Sequence, residues 1–111
     1  MQHNMNLHNG PFESIKSGSK TIEMRLYDER RKTLQVGDTI LFTNNSTSEQ
    51  MLVKIVSLQV FDNFEDLYRH FDKVSIGYKS DEIAKPDDML LYYTLEQIKE
   101  YGVLAIGIKL C

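Results

Sequence analysis

Between Lys20 and Tyr27 the chain alternates, and that alternation constrains the fold more than any other stretch. Ile22, Met24 and Leu26 fall on one side of a strand; Thr21, Glu23, Arg25 and Tyr27 fall on the other. The first side is a core face. The second is polar at three of its four positions, which would be odd for a buried wall, so it is expected to line a cleft. Gly18 precedes this strand and closes a short helix built on Phe12 and Ile15, with Asn9-Gly10-Pro11 as the turn that leads into it.

The rest of the chain supplies partners for that strand. Met5 and Leu7 alternate with Asn4 and Asn6 in a short edge strand over residues 2–8. Asp28 to Lys32 is a charged turn or helical turn. Gln35-Val36-Gly37-Asp38 then feeds the strand Thr39 to Phe42, a polar loop covers Asn44 to Glu49, and Met51 to Val60 is a long strand. Asp62 or Asn63 caps a helix carrying Phe64, Leu67, Tyr68 and Phe71. Residues 72–93 lack periodicity and read as a long functional loop with helical fragments. Thr94 and Gln97 form a capping box for a last helix that Gly102 stops. Val103 to Leu110 is apolar enough for a central strand, with a bulge expected at Gly107. Five or six short strands with two or three flanking helices predict an α+β domain, a small mixed or antiparallel β-barrel spanning residues 1–111.

Charge narrows the function. The net charge of −3 argues against an indiscriminate DNA binder. Yet residues 1–35 carry a net +2 against −5 for the remainder. A locally basic pocket on an acidic body suits a short or small anionic ligand better than a long duplex. The single cysteine, Cys111, has no internal partner, and no apolar leader follows Met1. Both features predict a reducing, cytoplasmic setting. No apolar run approaches the ~18 residues of a membrane span. His3, His8 and His70 are too scattered for a metal site, and no cofactor-binding loop is present, so neither a metal nor a cofactor is expected.

The candidate site residues are Lys20, Glu23, Arg25, Tyr27, Arg30 and Arg31. Arginine offers a planar fork to a phosphate or base edge; lysine offers a mobile charge or, when desolvated, a nucleophile or base. Glu23 can hold either cation or accept a proton. Spacing alone also admits an exposed, cross-paired strand face, and Arg30, Arg31 and Lys32 also fit a solvated turn paired to Asp28 and Glu29. Tyr78, Tyr92 and Tyr93 could stack a base or simply pack. Asp87 and Asp88 could place an acid over the pocket or form a surface turn after Pro86.

Gly18, Lys20, Glu23 and Arg25 fit the pattern Gly-x-Lys-x-x-Glu-x-Arg, which resembles the ASCH domain (activating signal cointegrator homology). Ile15-Lys16-Ser17 before it, Leu26 to Arg31 after it, Val36 to Ile40 and the close from Tyr101 to Ile108 resemble small bacterial members. The resemblance implies a PUA-like barrel and a cleft that binds RNA or a nucleotide. It also implies an alternative, since some small members are amidohydrolases that remove the acetyl group of N4-acetylcytidine. Their lysine maps onto Lys20. Their threonine falls where this chain has Glu23, and their glutamate has no better counterpart than Asp87 or Asp88. Were the chain an enzyme, Lys20 and Glu23 would be its catalytic residues.

Overall fold

The computed structural model describes residues 1–111, and its five strands form one curved sheet in the order β1-β3-β4-β5-β2. The strands are β1 (Gln2–Leu7), β2 (Ile22–Leu26), β3 (Thr39–Asn44), β4 (Gln50–Phe61) and β5 (Val103–Leu110). Helices α1 (Asn9–Ser17), α2 (Phe64–His70) and α3 (Leu95–Tyr101) flank the sheet, with 3-10 segments at Arg31–Thr33 and Pro86–Leu91. β1 runs parallel to β3; every other neighbour pair is antiparallel. The result is a mixed half-barrel whose free edges are β1 and β2.

Local sequence explains the punctuation. Gly18 ends α1 in the left-handed conformation at φ 89°. Asn63, not Asp62, caps α2 and accepts from the Asp66 amide at 2.8 Å. Thr94 and Gln97 complete a reciprocal capping box on α3. α1 starts at Asn9, two residues before Pro11, so the expected turn is the first turn of the helix itself.

β5 is buried on both faces, which is why its sequence is almost continuously apolar. Leu104, Ile106 and Ile108 join Phe12, Ile40, Phe42, Val53 and Ile55 inside the half-barrel. Val103 and Ala105 join Ile22, Met24, Phe64, Leu67 and Ile98 beneath α2 and α3. Each large side chain fully removed from water contributes about 1.5–3 kcal/mol.

The irregularity expected at Gly107 lies across from it. The β4–β5 register slips between Ile55 and Ser57, leaving Val56 unpaired. A side chain on Gly107 would meet Ser57 Oγ at 2.0 Å, so a Cβ opposite the bulge fits only if the Ser57 hydroxyl turns away. The same slip ends the buried alternation of Met51, Val53 and Ile55; Val56 and Val60 are exposed.

Candidate functional site

β2 pairs with β5 so that Glu23 faces Ile106 and Arg25 faces Leu104. The register turns the polar side of β2 toward the interior of the half-barrel, where Glu23 is only 4% exposed and Lys20 only 7%. A carboxylate at that depth is costly unless compensated. Here it accepts four hydrogen bonds. Oε1 takes Lys20 Nζ and the Met24 amide, each at 3.0 Å. Oε2 takes Arg25 Nε at 3.1 Å and Arg25 Nη2 at 2.9 Å. Burial pushes the Glu23 carboxyl upward, but the charges and hydrogen bonds of Lys20 and Arg25 outweigh it and hold the group below its ordinary value.

With four acceptances, Glu23 has no capacity left for a ligand. Its two cations do. Lys20 Nζ has three protons and one protein partner. Arg25 Nη2 also donates to the Asn6 carbonyl at 2.9 Å, whereas Nη1 bonds to no protein group and is open. Arg25 thus ties the edge strand β2 to the opposite edge β1.

These residues form the floor of a cavity of about 730 Å³, a volume suited to a small organic ligand. Its roof is the segment that carried no readable periodicity. The turn at residues 72–78 docks on β2 through Ser75 O, which accepts from both Thr21 and Ile22 amides at 2.9 Å. Gly77, at φ 117°, lies over the Lys20 stem; a Cβ there would sit 3.2 Å from Lys20 Cδ. Tyr78, Asp88, Tyr92 and Tyr93 also line the cavity. Tyr93 stacks on Phe64 with ring centroids 6.1 Å apart, and its phenol is raised, chiefly by burial. Tyr92 is 56% exposed at the mouth and lies near the His8 ring at 6.2 Å.

The other candidates lie elsewhere. Tyr27 packs against the barrel core with Lys32 Nζ 5.6 Å from its ring centre. Arg30 donates to the Asn4 carbonyl at 3.3 Å. Arg31 is bound to Asp28, Nη1 to Oδ2 at 2.9 Å. None of the three lines the cavity, and Asp87 does not either. The expectation of a basic pocket therefore needs correction. The lining carries Lys20, Arg25 and Lys79 against Glu13, Glu23, Glu82 and Asp88. Of the six basic residues among the first 35, Lys20 and Arg25 line the cavity, whereas Lys16, Arg31 and Lys32 are in ion pairs and Arg30 bonds a strand carbonyl outside it.

Tyr68, Gly77, Asn6 and His8 are lining residues that the sequence did not single out for a ligand site. Only the glycine carried a signal, as a break in the pattern. No cluster of three or more His, Cys, Asp and Glu is arranged to hold a metal ion, and His3 is instead paired to Asp38 at 2.8 Å.

A curved five-stranded sheet with helices on its flanks, its polar edge strand turned inward, is the PUA-like α+β architecture. The ASCH domain profile matches residues 5–111, and the chain belongs to the ASCH domain family. The crystal structure of hypothetical protein PH0355 superposes with a TM-score of 0.85 at 29% identity, covering 100% of both chains. The solution structure of protein PF0455 from Pyrococcus furiosus gives 0.77 at 29% identity, over 99% of this chain and 97% of that one. The ASCH domain from Lactobacillus crispatus shares the fold at 15% identity, with a TM-score of 0.69 over 98% of this chain and 79% of that one. Comparison with curated proteins returned no match. No helix is long and apolar enough to cross a membrane.

Proposed function

We propose that the chain binds RNA or a nucleotide by taking one nucleobase into the cavity above Lys20, Glu23 and Arg25. The observation that carries this reading is the pair of unspent donors on a fixed floor. Lys20 Nζ and, through Nε and Nη2, the Arg25 guanidinium are held by a carboxylate that itself accepts nothing further, which leaves Lys20 protons and Arg25 Nη1 unspent. Such donors suit the carbonyl or ring nitrogen of a base edge. Tyr92 and Tyr93 supply faces on which a planar ring can stack. The volume admits one base with its sugar, and the near balance of charge in the lining favours a single nucleotide or a short strand over a long polyanion. Titration of a short single-stranded RNA and of mononucleotides tests the reading. Arg25→Ala should weaken binding by about 1.5–3 kcal/mol, the worth of a hydrogen bond from a charged group. Equal affinity for variant and wild type would remove Arg25 from the site.

A second reading, hydrolysis of an amide on a modified nucleoside such as N4-acetylcytidine, draws support from one feature. Lys20 is a buried amine in a cavity, covered by Gly77 and open to a ligand on its remaining protons. Glu23 is poorly suited to shuttling a proton, since its hydrogen bonds and lowered pKa keep it a carboxylate. Turnover of N4-acetylcytidine that disappears in Lys20→Ala would establish this chemistry; no turnover alongside intact RNA binding would leave the first reading alone.

A further inference from the structure

We propose that Asp88 selects ligands that present an N–H donor, and that Tyr78 positions its carboxylate for that task; this rests on the reading of the cavity as a nucleobase site. The floor offers donors only, because Glu23 has no free lone pair. A base edge that carries both acceptors and an amino or imino group therefore needs an acceptor from elsewhere in the lining. Asp88 is suited to the role. Its Oδ2 accepts from the Tyr78 hydroxyl at 2.8 Å, while Oδ1 accepts from no protein group and is not enclosed.

The other carboxylates of the lining are less suited. Glu13 and Glu82 are exposed, and Glu82 Oε1 is engaged by the Lys79 amide at 2.7 Å. The Tyr93 hydroxyl has no protein partner but can donate or accept, so it cannot discriminate.

Tyr78 is itself fixed. Its oxygen lies 2.9 Å from the Tyr68 hydroxyl, 2.8 Å from Asp88 and 3.2 Å from the Lys85 carbonyl. It has one proton, and the charged, nearer Asp88 is the stronger acceptor, so Tyr68 donates to Tyr78 and Tyr78 to Asp88. Burial, and then the bond it donates to the Asp88 carboxylate, raises the Tyr78 phenol above its ordinary range and keeps it a donor.

Two probe pairs isolate the effect. Cytidine and pyrimidin-2-one riboside differ by one amino group, as do adenosine and purine riboside. Calorimetry on the wild type should show the amino member of at least one pair binding about tenfold tighter or more, the worth of a hydrogen bond to a charged group. Asp88→Asn should bring that ratio to one or below, because Tyr78 would hold the amide oxygen and turn the amide nitrogen toward the ligand. Tyr78→Phe keeps the ring and frees the carboxylate; it should lower the ratio by weakening the amino member of a pair more than its amino-free partner. Should Asp88→Asn fail to fold, the Tyr78→Phe ratio decides. Equal binding within both pairs, or a ratio untouched by the variants, overturns the role of Asp88 and leaves the nucleobase site standing. Failure of all four probes and of short RNA to bind the wild type overturns both.

Discussion

Arg25 Nη2 lies 2.9 Å from the carbonyl oxygen of Asn6, so a side chain from one free edge of the sheet closes onto the backbone of the other. The same nitrogen holds Glu23. One guanidinium thereby joins the architecture to the site, and its replacement should register in both. Arg25→Met, which keeps the stem, leaves a buried carboxylate with Lys20 as its only cation. We expect a loss of about 3 kcal/mol in urea unfolding. Arg25→Lys should recover only part of it, because an ammonium lacks the fork that serves Glu23 and Asn6 together. Wild-type stability in Arg25→Met would show that the strap carries no weight.

Acid should loosen the fold through Glu23. Its folded pKa lies below the unfolded value of 4.5, so its stabilising contribution is complete above that pH and is lost as pH falls through the folded value. Unfolding free energy measured between pH 7 and pH 3 should fall along this limb. Glu23→Gln should be less stable at pH 7 and show a shallower fall. Parallel curves for the two proteins would assign the acid limb to other carboxylates, Asp38 among them, whose pKa is lowered first by its His3 hydrogen bond.

Gly107→Ala should destabilise by about 1–3 kcal/mol, because the added methyl would overlap Ser57 Oγ. Ser57→Gly in the same chain removes both the hydroxyl and the Cβ that lies 3.2 Å away, and should restore much of the loss. A double-mutant cycle checks it; additive penalties would place the strain somewhere other than this pair.

Tyr92→Ala should separate binding from stability. The ring is mostly exposed, so thermal unfolding should barely move. Affinity for short RNA should drop by about 1–3 kcal/mol if the ring stacks a base. Unchanged affinity would assign Tyr92 no part in recognition.

The local half of the fold was legible in the sequence. The alternation of Ile22, Met24 and Leu26 against Glu23 and Arg25 located β2 and its two faces, and Gly18, Asn63 and Thr94 marked helix ends through chemistry confined to a few residues. What alternation could not convey is that both faces are covered. Glu23 reads as a solvent or cleft residue until its register with Ile106 places it inside the half-barrel. The parallel pairing of β1 with β3 was equally silent, since it joins segments some 37 residues apart with no local code. The roof was the least readable part for a related reason. Tyr78 meets Asp88, Gly77 meets Lys20 and Ser75 meets Thr21 only after the chain has folded back over β2. In the run Arg30 to Lys32, the reading as a charged turn paired to Asp28 and Glu29 is the one the ion pairs of Arg31 and Lys32 match, while Arg30 bonds the Asn4 carbonyl.

The fully committed carboxylate of Glu23 has a further consequence. Its lone pairs are all occupied, so any change at Lys20, Glu23 or Arg25 disturbs the other two and the barrel seam at once. Adaptation to a new ligand is far less constrained on the roof, where Tyr78, Asp88 and Tyr92 can be exchanged without unseating a buried charge. The molecule thus divides into an invariant-by-necessity base plate and an interchangeable lid surface, and differences in preference among chains of this architecture should be sought in the second.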